Sequence, residues 1–196
     1  RQPGSNIKPV TYALAFENGF NPASTIEDNP VEYIIPGSEP YRPRNYDGTF
    51  RGTVTLRAAL ANSYNIPAVK LLHQVGVQNL IQKAQAMGIS TWNEPERYGL
   101  ALTLGAAEVK MLDMMQVYGT LANQGKSIPP APILEVKTYA GEELYRNRCA
   151  LDGTNCDSTQ ALDPTVAAQI TDILKDNQAR SSAFGTRSVL NIPDQE

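Results

Sequence analysis

Val54-Thr55-Leu56-Arg57-Ala58-Ala59-Leu60-Ala61-Asn62-Ser63-Tyr64-Asn65-Ile66-Pro67-Ala68-Val69-Lys70 reads as a helix, a tight connection and a second helix. Thr55 suits an N-cap, because its side-chain oxygen can accept from a free N–H of the first turn. Leu56, Ala59 and Leu60 then fall on one face. Pro67 fits the first position of the next helix, where its missing N–H costs nothing, and Gly76 ends that helix. Ser63-Tyr64-Asn65 occupies the bend. Ser and Asn are ordinary turn residues, so the triplet acquires chemical meaning only if a second reactive element lies opposite it.

That element is at the start of the chain. In Pro3-Gly4-Ser5-Asn6-Ile7-Lys8-Pro9 a serine precedes a lysine by three residues, just before the apolar run Val10 to Phe16. The run is apolar on every face and Asn18-Gly19 supplies a left-handed stop, so Ser5 to Asn18 reads as a buried helix. Pro9 is tolerated near the first turn. Residues i and i+3 are neighbours on a helix, which places the Lys8 amine over the Ser5 hydroxyl. A serine with its own base is a candidate nucleophile. Taken alone, the same spacing is more simply a capping serine followed by a solvated lysine.

Ser-x-x-Lys followed by Ser-x-Asn forms, with Lys-Thr-Gly, the motif set of penicillin-binding proteins and serine β-lactamases. The flanking text narrows the match. Tyr41-Arg42-Pro43-Arg44-Asn45-Tyr46-Asp47-Gly48, the Val54–Lys70 stretch, Tyr98-Gly99-Leu100-Ala101-Leu102-Thr103-Leu104-Gly105 and Ala183-Phe184-Gly185 together resemble the transpeptidase domain of class A (bifunctional) penicillin-binding proteins. The resemblance covers nearly the whole chain and implies an α/β fold of the penicillin-binding protein and serine β-lactamase type. The central sheet of that fold uses strands before Ser5 and after Glu196, so residues 1–196 are expected to form a partial transpeptidase domain, mainly its helical part with a few short strands.

The resemblance also implies roles. Ser5 is the nucleophile, Lys8 the base, Ser63 the proton relay, and Asn65 the amide that holds a peptide backbone. The substrates would be peptidoglycan stem peptides, a donor ending in D-Ala-D-Ala and an amine acceptor, and β-lactams would acylate the same serine. No cofactor or metal is implied. The parent would carry a membrane anchor and an upstream glycosyltransferase domain and would act on the extracytoplasmic side of the bacterial membrane. One departure stands out. No Lys-Thr-Gly occurs, since Lys137-Thr138 is followed by Tyr139. That motif contributes carboxylate binding and half of the oxyanion hole, so residues 1–196 by themselves are expected to be inactive. A non-catalytic β-lactam or muropeptide sensor of the same fold is the alternative, and it would acylate without forming cross-links.

Composition is that of a globular domain: 41% hydrophobic, 19% charged, with 17 basic and 20 acidic residues giving a net charge of −3. No like-charge block suggests nucleic acid, and no run of about 18 apolar residues suggests a membrane span or signal peptide. Cys149 and Cys156, the only cysteines, bracket a polar loop. A disulfide, fitting an oxidising compartment, and two free surface thiols are both open readings. With one histidine and a Cys-x6-Cys spacing, no metal site is expected.

Elsewhere, Phe20 to Gly52 reads as a long loop with one strand at Val31–Ile35. Leu80, Ile81, Ala84 and Met87 mark an amphipathic helix. A further helix is expected from about Ala106 to Asn123, with Val109, Leu112, Met115 or Gln116, and Leu121 inward and Met111, Met114 and Met115 filling core. Ile133–Thr138 and Leu144-Tyr145 fit a hairpin, and Asp163-Pro164 opens a final helix with Val166, Ile170, Ile173 and Leu174 inward. The tail from Ser181 to Glu196 carries no clear pattern. His73 receives no role and Tyr64 a packing role. Glu94 and Glu96 invite comparison with a deacylating base, but Arg97-Tyr98-Gly99 lacks the asparagine such a base wants close behind, so β-lactam turnover is not expected.

Overall fold

The run from Lys8 to Phe16 is buried at every position, and the helix it forms, α1 (Lys8–Glu17), is the axle on which the rest is assembled. A helix apolar all round must be covered on all sides. The cover comes from α2 (Leu56–Ala61), α3 (Asn65–Val75), α4 (Val77–Ala86) and α7 (Pro164–Lys175), with a 3-10 segment at Leu100–Leu104. This computed structural model describes residues 1–37 and 39–191. The part of the tail from residue 192 onward lies outside them.

The polar punctuation read from the sequence operates as expected in two places. Thr55 Oγ1 accepts from Ala58 N at 3.2 Å to start α2. Asp163 Oδ1 accepts from Thr165 N at 2.7 Å and Val166 N at 3.3 Å to start α7, with Pro164 at its first position. Val166, Ala167, Ile170 and Ile173 of α7 are buried, as are Leu80, Ile81 and Ala84 of α4.

The strands are short and form three antiparallel pairs among the described residues. β1 (Thr25–Asp28) pairs β2 (Gly52–Thr55), with Thr25 opposite Thr55 and Asp28 opposite Gly52. β3 (Lys126–Ser127) pairs β6 (Thr159–Gln160), and β4 (Glu135–Lys137) pairs β5 (Glu143–Arg146) in the expected hairpin. α6 (Arg148–Asp152) follows directly, capped by Asn147, inside what the sequence suggested was a polar loop. α8 (Ser181–Phe184) is a single turn near the end. No helix among the described residues is long and apolar enough to cross a membrane.

Four sequence expectations are corrected. The strand proposed at Val31–Ile35 does not form. That segment is flanked by Pro30 and Pro36 and makes only an isolated bridge between Tyr33 and Tyr41, while β1 lies just upstream with Ile26 and Asp28 inward. The helix after the Ser63 bend starts at Asn65, so Pro67 is its third residue; its cap comes from outside the segment, as described below. The helix expected to start at Ala106 is α5 (Met111–Ala122). Its inward face is Asp113, Val117, Thr120 and Leu121, which leaves Met111 77% and Met115 60% exposed and Leu112 exposed as well. The reason is Asp113, whose carboxylate accepts from Ser90 N and Ser90 Oγ, both at 2.8 Å, and so fixes the rotation of the helix. Finally, Ser5 sits in a 3-10 turn, Gly4–Ile7, that leads into α1.

Candidate active site

Ser5 is exposed at the head of α1, and two glycines place it there. Gly4 takes φ +58, a conformation that costs an L side chain. Gly105, at the end of the Leu100–Leu104 segment with φ +79, lies against it: a Cβ on Gly105 would fall 2.2 Å from Gly4 N and 2.5 Å from Gly4 Cα. Glycine is therefore the residue at 105 that allows the Ser5 turn its position. Tyr118 on α5 adds a strut by donating to Asn6 O at 3.1 Å. Thr11 and Thr103 share a buried hydrogen bond of 2.8 Å that ties α1 to the same 3-10 segment.

One turn into the chain from Ser5, Lys8 is 1% exposed. Its Nζ donates to Ser63 O at 2.5 Å and Asn65 Oδ1 at 2.7 Å, and lies 3.0 Å from Ser63 Oγ. Among the described residues the lysine thus bonds across to the Ser63 bend and makes no hydrogen bond to Ser5, which corrects the picture of an amine resting on the Ser5 hydroxyl. Burial pushes the Lys8 ammonium down from 10.5 to about 7, since a charged group loses hydration that three polar contacts only partly replace. A neutral amine has two N–H donors and one lone pair, so in that state two of the contacts are donated and the third is accepted from the Ser63 hydroxyl.

The bend itself is held in an uncommon shape. Ser63 has φ +57, one of three non-glycine residues with positive φ among those described. Such backbone persists only when its surroundings enforce it. Here they do so from a distant loop. Asn45, buried, accepts at Oδ1 from Asn65 N (2.8 Å) and Ile66 N (3.2 Å), which caps α3 in place of a local side chain. Its Nδ2 donates to both oxygens of the fully buried Asp28 carboxylate, at 2.7 and 2.9 Å, and to Thr49 O. Arg51 lies 3.6 Å from Asp28, pairs with Asp47, and stacks its guanidinium 4.1 Å from the centre of the Tyr64 ring. Asn65 Nδ2 donates to Arg44 O at 2.9 Å. On the other side Asn62 donates to Ala179 O and accepts from Ala183 N, drawing α8 against the bend.

The outcome is a cleft with two lobes. One, of about 300 Å³, is lined by Ser5, Lys8, Ser63, Tyr118, Arg180 and Phe184 among others. The second, of about 470 Å³, is lined by Ser5, Tyr46, Asp47, Ser63, Asn65 and Phe184 among others. Ser5, Ser63 and Phe184 are common to both. The four motif residues named from sequence therefore meet at one cavity. Asn45, Asp28 and Arg51 were missed as site residues; the Arg44-Asn45-Tyr46-Asp47-Gly48 phrase contains three of the loop's contributors, Arg44, Asn45 and Asp47, but nothing in its local pattern says that its asparagine would cap a helix elsewhere. Cys149 and Cys156 are joined as a disulfide, S–S 2.06 Å, and line neither lobe. Glu94 pairs with Arg97 at 3.0 Å beside a separate cleft, and His73 packs against Tyr33 with ring centres 4.8 Å apart and the rings tilted by 41°.

A buried lysine, two serines and an asparagine are thus arranged around one cleft at the head of the central helix. Residues 1–194 match the penicillin-binding protein transpeptidase domain model, and the chain belongs to that family. It is 33% identical over 178 residues to penicillin-binding protein 1A of Rickettsia typhi, matching 90% of this chain and 22% of that protein. It is 38% identical over 149 residues to penicillin-binding protein 2D of Bacillus subtilis, 75% of this chain and 21% of that one. The chain thus spans about a fifth of the length of these curated relatives. Among solved structures, penicillin-binding protein 1A of Haemophilus influenzae superposes with a TM-score of 0.77 at 24% identity, over 91% of this chain and 30% of that one. PonA1 of Mycobacterium tuberculosis in complex with penicillin V gives 0.77 at 21% identity, over 95% and 50%. The fold is that of the penicillin-binding protein transpeptidases, represented here mainly by its helices.

Proposed function

We propose that this chain is the motif-bearing part of a peptidoglycan D,D-transpeptidase that works through a serine acyl-enzyme. The supporting observation is the convergence of Ser5, Lys8, Ser63 and Asn65 on one cleft, with Lys8 buried and bonded to the other motif. With its ammonium form held down to about 7, Lys8 is substantially a neutral amine at neutral pH and can act as a base.

In this reading Ser5 Oγ attacks the carbonyl between the last two residues of a stem peptide ending in D-Ala-D-Ala. Its proton passes to Lys8, the C–N bond breaks, and the proton reaches the departing D-Ala amine through Ser63. The Ser5 N–H, in the first turn of the chain's Gly4–Ile7 segment, would supply one donor for the oxyanion. Asn65 donates to and accepts from the donor's backbone. An amine of a second stem peptide then takes the acyl group from Ser5. β-Lactams enter the same path and remain on Ser5. One neighbour of this fold is a penicillin V complex and another, penicillin-binding protein A of M. tuberculosis, an imipenem acyl-enzyme complex. In the intact protein we place this domain on the extracytoplasmic face of a bacterial membrane, downstream of a glycosyltransferase domain and anchor, as in a class A penicillin-binding protein. No cofactor takes part.

The test is labelling of the full-length protein with a fluorescent penicillin followed by peptide mass analysis. The adduct is expected on the peptide that contains Ser5 and absent in Ser5→Ala. A folded protein that takes no label, or takes it on another serine, refutes the proposal. Dimeric muropeptides from the same protein separate the transpeptidase from a sensor that only acylates.

A further inference from the structure

The two lobes that meet at Ser5 differ in charge. Among the described residues the smaller is lined by Lys8 and Arg180 and by no carboxylate. The larger is lined by Asp47 and Arg51, with Asp28 behind them, so one guanidinium faces two carboxylates. Arg51 is moreover committed, paired with Asp47 and stacked on Tyr64. Asp47 is held down to about 2 by the Arg51 hydrogen bond and by Thr49, so it stays charged wherever the protein is folded and working.

Between these fixed neighbours stands Tyr46. Asn45 on one side is locked into five hydrogen bonds, and Asp47 on the other is paired with Arg51. The Tyr46 ring itself is fully exposed and makes no side-chain hydrogen bond among the described residues, yet it lines the lobe that ends at Ser5 and Ser63, facing a cleft whose other wall carries the half-exposed Phe184. A rigid backbone thus presents an aromatic face, beside a carboxylate, that gains nothing from burial in the protein.

We infer that the Tyr46–Asp47 lobe is the subsite for the acyl acceptor, and that it receives the alkylammonium side chain of a second peptide by cation–π contact with Tyr46 and attraction to Asp47. This rests on the transpeptidase reading and deepens it. The opposite lobe, whose described lining holds Arg180 and no carboxylate, offers the same group no counter-charge. The step balances: the bound ammonium releases one proton to solvent, the free amine attacks the acyl carbon on Ser5 Oγ, the new C–N bond forms as the C–O ester bond breaks, and the amine's second proton returns to Ser5 Oγ through Lys8 or Ser63.

The experiment measures partition of the acyl-enzyme. Full-length protein is acylated with a D-alanyl thioester in the presence of the tripeptide L-Ala-D-Glu-L-Lys, and amide product is compared with hydrolysed donor by mass spectrometry. Tyr46→Ala is expected to lower the amide-to-hydrolysis ratio about tenfold, a loss within the range of cation–π contacts, with the acylation rate within about twofold. Tyr46→Phe keeps the ring and should stay within about twofold on both readouts. Asp47→Asn should also lower the ratio, and more so for the lysine tripeptide than for hydroxylamine, which carries no charge. An unchanged ratio in Tyr46→Ala overturns the inference, as does a fall in acylation that matches the fall in transfer, which would mark a structural role. A wild-type protein that is not acylated at Ser5 at all removes the underlying transpeptidase reading and this subsite with it.

Discussion

Replacing Asn45 by alanine removes five hydrogen bonds from a side chain that touches no substrate, and the structure sets the size of the effect. The first loss is the cap on α3, where Asn65 N and Ile66 N lose their acceptor at 2.8 and 3.2 Å. A lost cap costs about 1 kcal/mol. The second is larger. The Asp28 carboxylate, fully buried, loses donors at 2.7 and 2.9 Å and among the described residues keeps only Arg51 at 3.6 Å. Withdrawing a hydrogen-bond partner from a buried charge costs about 2–3 kcal/mol. Together Asn45→Ala should cost about 3–4 kcal/mol. With a urea m-value of about 2 kcal/mol/M this is a fall in midpoint of about 1.5–2 M at unchanged m. Because the cap fixes where Asn65 starts and Ser63 bends, the acylation rate with a penicillin should fall at least tenfold in the fraction that remains folded. A midpoint lowered by less than about 0.5 M, with acylation unaffected, would show that the loop does not hold the Ser63–Asn65 bend.

The depressed Lys8 gives a pH signature: acylation should rise with pH through about 7 and level off above it, and Lys8→Met should be inactive throughout, as read by stopped-flow labelling across pH 5–9. The sign for stability follows from linkage. Between about 7 and 10.5 the unfolded chain binds a proton at this site that the folded protein does not, so Lys8 makes stability rise with pH across that window, and a comparison with Lys8→Met by denaturation isolates the contribution. Gly105→Ala should slow acylation more than tenfold, because its methyl would sit 2.2 Å from Gly4 N and push the Ser5 turn aside. Gly119→Ala in α5 meets no atom within 4 Å and should stabilise the protein by about 0.5–1 kcal/mol, measured by the shift in urea midpoint.

Much of the fold was legible wherever a local rule coincided with the tertiary environment. The run from Val10 to Phe16 is apolar on all faces and is in fact surrounded, Thr55 and Asp163 cap as their positions imply, and Leu80, Ile81 and Ala84 face inward. Errors arose where a distant partner decides. The rotation of α5 is set by a buried carboxylate taking two hydrogen bonds from Ser90, and an apolar stripe containing methionines could not reveal that. Pro67 looks like a first-position proline because the true start, at Asn65, is capped by Asn45 from another loop. At the site, the motifs named residues that meet at one cavity, but their spacing gave the wrong contact: Lys8 reaches Ser63 and Asn65 because the left-handed backbone of Ser63 turns its carbonyl within reach, a property that a three-residue motif does not disclose. Asp28 and Arg51 stayed hidden because nothing near them in sequence is reactive.

The arrangement around the lysine is open to direct observation in a crystal structure of the full-length protein soaked with a penicillin. The expected density joins the opened lactam carbonyl to Ser5 Oγ, with Lys8 Nζ within 3.2 Å of both Ser63 Oγ and Asn65 Oδ1. An adduct on any other residue, or Lys8 turned away from the bend and into solvent, would contradict the proposed chemistry.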